Sequence, residues 1–213
     1  MYEIKNPQRV LSPVLFSIAM IIFGNFAFNQ FAGKERLPVF IGFILVACFF
    51  SLNMNLASCF EPENQDGVFT KMRTSGINRY TWFISKSIQT IFTASLTVIL
   101  SLLAGSFFVA DASQVLLSTN FILGFLLVIF SLCPLGVLLS AVLSSTNMQQ
   151  ILFTLLFLPI SLPLLIAVFK LSQSAYLNDI LVQKEQWFWL LSIVCVLFWT
   201  VSAILFDEFV KAD

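Results

Sequence analysis

The sequence predicts an all-α integral membrane protein of six transmembrane helices, and three observations predict it. Hydrophobic residues make up 59% of the 213 and charged residues only 10%, with a mean hydropathy of +0.95. One soluble core of that length could not bury so much apolar surface. Six apolar runs each approach the length of about 20 residues that a hydrocarbon core about 30 Å thick asks of a helix. The runs are continuously apolar rather than alternating, which excludes barrel strands.

The spans fall at roughly 11–31, 38–60, 82–109, 119–143, 150–170 and 187–206. The first follows Lys5 and Arg9, as the apolar part of a signal peptide would. It runs on to Phe31 without a small-x-small cleavage site and is therefore read as a span. Asn25 and Asn29, at i and i+4, share one of its faces, while Ser51, Asn53, Asn55 and Ser58 polarise the second half of span two. Amides in lipid seek partners on neighbouring helices, so the four asparagines form a candidate polar inner face, either as packing glue or as the lining of a path. Tyr80 and Trp82 open the third span as interfacial belt residues, and Lys86, four residues on, is expected to snorkel to that interface. The fourth span carries no charge at all. In the fifth, LPISLPLLI sets Pro159 and Pro163 four residues apart. Each ring removes a helical hydrogen bond and frees a carbonyl, so the helix is expected to kink or break there, a candidate hinge. The sixth begins at QWFWLL, with Trp187 and Trp189 as the opposite belt.

Charge excludes several functions. The net charge is zero, so no basic surface argues for nucleic acid. Histidine is absent, which removes the commonest metal ligand, general base and haem axial ligand. Cys48, Cys59, Cys133 and Cys195 lie inside predicted spans without metal-site spacing and read as small apolar packing residues. No nucleophile and base pair or metal cluster can be assembled, so catalytic residues, metal site and resident cofactor are all expected to be absent. Nor does a span bury a carboxylate, as a proton-driven pump would require. Energy for transport would come from elsewhere.

Six spans put both termini on one side. That side would hold Lys5, Arg9, Lys71, Arg73, Arg79, Lys86 and Lys211, against Lys34, Arg36, Lys170 and Lys184 on the other. The asymmetry predicts cytoplasmic termini. With no internal repeat or low-complexity linker, residues 1–213 read as a single transmembrane domain.

The connection at 61–81 stands apart. Five of the 22 charges, Glu61, Glu63, Asp66, Lys71 and Arg73, crowd into its first part, FEPENQDGVFTKMRTSG. Asp66 suits an N-cap, Gly76 suits the residue just past a helix end, and the acids precede the bases as a helix dipole favours. Val68, Phe69 and Met72 then form a compact apolar knob with charged flanks, on a short cytoplasmic helix.

These features resemble the haem exporter protein B (CcmB) family, the membrane subunit of the cytochrome c maturation ABC transporter. The resemblance rests on the QDG of FEPENQDGVFTKM with Lys86 leading the third span, on LSPVLFSIAMIIFGNFAF, and on LFLPISLPLLIAVF. With the six-span layout these cover nearly the whole chain. Two features depart from the family pattern: the chain begins almost at the first span, without the family's amphipathic leading segment, and Gly76 stands where proline is common. The resemblance implies a permease of the ABC-2 exporter fold in a bacterial cytoplasmic (inner) membrane, or an organellar inner membrane. Asp66, Gly67, Val68, Phe69, Met72 and Arg73 would then couple it to an ATP-binding subunit. The chain has no GxxxxGK[ST] phosphate loop, so that subunit would hydrolyse the ATP. The family's other partners are a tryptophan-rich haem-handling membrane subunit, a small single-span subunit and a periplasmic haem chaperone, with two permease copies per complex. Two alternatives stay open at the level of sequence: an ABC-2 permease exporting a drug, lipid or polysaccharide, and a haem-binding membrane scaffold without transport.

Overall fold

A computed structural model describes residues 8–28, 36–60, 79–108, 115–144, 146, 148–177 and 181–212. Within them the chain forms six helices: α1 (Gln8–Phe28), α2 (Arg36–Ala57), α3 (Arg79–Phe108), α4 (Thr119–Leu143), α5 (Gln149–Leu177) and α6 (Leu181–Ala212). No strand occurs among the described residues. A segment in lipid must satisfy its backbone internally, and uninterrupted helices do so. By length and composition, α2 to α6 can each cross a membrane, and α1 contributes the apolar stretch Leu11–Ala27. At the start of α4, Ser118 accepts the Phe121 N–H at 3.4 Å, as an N-cap residue does.

Six helices stand where six spans are expected, with α1 and α2 ending at Phe28 and Ala57 rather than near 31 and 60. α6 begins at Leu181 rather than near 187, and α5 continues to Leu177 rather than ending near 170. Hydropathy measures the apolar thickness crossed, and helices continue past it into polar sequence.

α2 and α4 occupy the middle. α2 packs against α1, α3, α4 and α5, while α4 packs against α2, α3, α5 and α6. The main core lies along them, with Ile44, Leu52, Leu56, Phe121, Phe125, Phe153 and Phe157 fully buried. Phe157 stacks on Phe49 at 5.9 Å and on Phe153 at 5.0 Å, tying α5 to α2. Small residues permit close approach: a side chain at Gly136 of α4 would meet Leu56 of α2 at 2.8 Å, and one at Gly24 of α1 would overlap the Phe43 ring. All four cysteines are buried, in keeping with a packing role.

The exposed surface is apolar as well. Phe23, Phe26, Phe92, Phe107, Ile151, Leu155, Trp189 and Val196 are each at least 65% exposed. For a chain of this composition the surrounding solvent is lipid.

Candidate functional site at the Phe60 end of the bundle

Polar side chains gather where α2 ends, on three of its neighbours. Thr154 of α5 donates its hydroxyl to Asn53 Oδ1 at 3.0 Å, and Thr93 of α3 donates to Asn55 Oδ1 at 3.3 Å. Positions i and i+2 of a helix lie about 200° apart, so one expected stripe is two contacts on nearly opposite sides of α2. Asn53 is 4% exposed, and its Nδ2 has no partner among the described residues. Gln149, at the start of α5, donates through Nε2 to Ala57 O at 2.9 Å and to Ser140 Oγ at 3.2 Å. Ser140 itself reaches Ala57 O at 3.3 Å, so the Ala57 carbonyl at the end of α2 is answered from both α4 and α5. Beside them opens a cleft of about 320 Å³, bordered by Ala57, Ser58, Thr146, Met148, Gln149, Gln150 and Ile151. Ser58 turns back on its own helix, donating to the Met54 and Asn55 carbonyls.

The aromatic half of this end lies between α2, α3 and α6. Phe60 is fully buried and meets Trp82 edge-on at 5.8 Å; Trp82 meets Phe206 at 5.5 Å, and Phe83 meets Phe206 at 5.1 Å. Lys86, expected to snorkel toward this end, is 4% exposed, with its ammonium 5.2 Å from the centre of the Phe60 ring, a cation–π contact at the last described residue before the connection. Arg79 and Asp207 close the rim with a 3.6 Å ion pair between the start of α3 and the end of α6.

The other sequence-predicted residues divide. Pro159 and Pro163 sit inside α5, which continues as one helix through both and so does not break there, and both rings face outward. Ser161 between them is buried and donates to Leu158 O at 2.8 Å, not to either carbonyl that the prolines free. Asn25 is half-buried on α1, whereas Asn29 lies outside the described residues, as do Asp66, Gly67, Val68, Phe69, Met72 and Arg73. What sequence reasoning missed is Pro134 in α4. Its ring removes the N–H that would bond Phe130 O, and the Trp199 indole N–H of α6 donates to that carbonyl at 2.9 Å. The proline was visible in the sequence, but the donor is 69 residues away. Among the described residues no group of three or more metal-ligating side chains forms.

The profile of the CcmB protein family matches residues 2–211. The chain belongs to the CcmB family. The match spans nearly the full length, so it takes in the 61–81 connection, the α5 proline pair and the Phe60 end together. Comparison with curated proteins and with solved structures gave no match. Membership makes this CcmB-family chain a multi-pass membrane protein and the haem-export permease component of a cytochrome c maturation transporter, a non-catalytic subunit that works with partner subunits.

Proposed function

We propose that this chain is the permease of an ABC transporter in which a partner hydrolyses ATP and the 61–81 connection receives the resulting motion. In this reading the fold is that of the ABC-2 exporters, residues 1–213 are one domain, and both termini and the Phe60 end face the cytoplasm. Val68, Phe69 and Met72 form the knob that enters the ATP-binding subunit. The tryptophan-rich haem-handling subunit, the small single-span subunit and the periplasmic chaperone complete a complex with two permease copies in a bacterial inner membrane. ATP hydrolysis serves either haem export or release of the haem-loaded chaperone.

The observation that carries the reading is the meeting of the connection's two flanks. Phe60, just before it, and Trp82, just after it, touch at 5.8 Å, so the described chain leaves for the connection and returns from it at the same end of the bundle. A surface that must be pushed by a partner needs such fixed ends. The family membership supplies the cargo, haem, and the process, cytochrome c biogenesis.

Deleting the chain tests this directly. Covalent haem attachment to c-type cytochromes should stop on haem-stained gels, while b-type spectra persist because those proteins acquire haem independently. The chaperone should accumulate haem-loaded if hydrolysis releases it, and empty if the permease exports haem. Unchanged c-type cytochromes in a strain with no second maturation system would refute the proposal.

A further inference from the structure

The two flanks of the 61–81 connection are not merely close; they begin a continuous line of ring contacts that ends on a proline-weakened point of α4. From Phe60 the line passes to Trp82 at 5.8 Å, to Phe206 at 5.5 Å and to Phe83 at 5.1 Å. Phe83 meets Trp199 edge-on at 6.2 Å, and Trp199 lies over Phe130 at 5.2 Å while its indole N–H holds the Phe130 carbonyl. That carbonyl is the one Pro134 leaves without its helical donor. A helix is most easily bent where such a bond is missing. Here the missing bond is replaced by a side chain from α6 that is itself packed against the start of α3. Lys86 over Phe60 and the Arg79–Asp207 pair hold the first contacts in place. Close-packed rings transmit displacement rather than absorb it, since interiors pack at crystal-like density.

We propose that Phe60, Trp82, Phe83, Phe206 and Trp199 form a mechanical relay that carries displacement of the 61–81 connection to the proline joint of α4 at Pro134. The proposal rests on the reading of that connection as the surface moved by the ATP-binding subunit. These are positioning residues: they touch neither ATP nor haem. Tilting Trp82 moves Phe206 and hence the end of α6. The movement reaches the centre of α4 through Trp199, whose ring packs on Phe130 and whose N–H stands in for a backbone donor.

A purely structural cluster would affect assembly alone, so the readout is haem attached to a c-type cytochrome per ATP hydrolysed, measured in the complete complex. Trp82→Leu, which shortens the ring chain, and Trp199→Phe, which keeps a ring but removes the N–H, should each lower this ratio about tenfold, within the range by which residues along a coupling network act. Trp82→Phe keeps the edge-on contact and should restore the ratio to within about twofold of wild type. In all three the complex should co-purify and hydrolyse ATP. A ratio at the wild-type value in Trp82→Leu or Trp199→Phe, or a loss of haem attachment that only follows loss of assembled complex, would overturn the relay. Failure of the underlying reading looks different: the Phe69→Asp, Met72→Asp double variant would then still co-purify with the ATP-binding subunit.

Discussion

Asn53 offers a test in which the obvious substitution should be the harmless one. Its Oδ1 accepts from Thr154 at 3.0 Å, but its Nδ2 is buried without a partner among the described residues, whereas the Thr154 hydroxyl also reaches Gln150 O at 3.0 Å. Thr154→Val therefore removes the only described donor to Oδ1 and leaves both ends of a buried amide unanswered. An interhelical hydrogen bond in a membrane is worth about 0.6 kcal/mol on average. A buried polar atom left unpaired costs about 1–3 kcal/mol. Allowing for Thr154 being only partly buried, the variant should lose about 1–2 kcal/mol. Asn53→Leu loses the same hydrogen bond but removes the orphan N–H together with the acceptor, and Thr154 keeps its Gln150 bond. It should fall within about 0.5 kcal/mol of wild type or above it. The double variant should match Asn53→Leu, so the two changes are non-additive by the full Thr154→Val loss of about 1–2 kcal/mol. Detergent unfolding of the purified chain, followed by helical circular dichroism, measures all four proteins. If Asn53→Leu were less stable than Thr154→Val, the accounting of the orphan amide would be wrong. With stability held, the haem-attachment activity of Asn53→Leu then separates packing glue from a path lining.

Reporter fusions after Gly33, Met72 and Asp179 should read outside, inside and outside, and an inside signal at Gly33 would overturn the six-span topology with cytoplasmic termini. Replacing Pro159 and Pro163 together by alanine restores two helical donors in an already continuous α5. It should raise the detergent-unfolding midpoint while lowering ATP-driven haem delivery, and unchanged delivery would reduce the pair to a structural feature. The purified lone subunit, with no histidine to ligate iron, should show no stoichiometric Soret band; a one-to-one band lost on changing a single Met, Tyr or Cys would favour the scaffold reading.

Hydropathy made the six helices legible because lipid imposes a length and forbids unsatisfied backbone, two constraints that act on each segment separately. Partnerships between segments were not legible in the same way. Asn53 and Asn55 were recognisable as amides needing partners, yet which helix answers each depended on α3 and α5 packing to opposite sides of α2. The Phe60 ring that the Lys86 ammonium meets was not legible, because it is brought by the last residue before the connection, 26 residues earlier in the chain. The prolines show the limit most clearly. Counting four residues back from Pro134, Pro159 and Pro163 identifies Phe130, Leu155 and Pro159 as the residues whose carbonyls lose a donor, so sequence alone tells where a helix is weakened. Sequence does not tell whether the weakness is repaired. In α4 it is, by Trp199, and the repair ties that helix to α6. In α5 no side chain among the described residues donates to Leu155 O or Pro159 O, and the two rings face outward. A repaired joint and an unrepaired one in adjacent, packed helices are mechanically unequal.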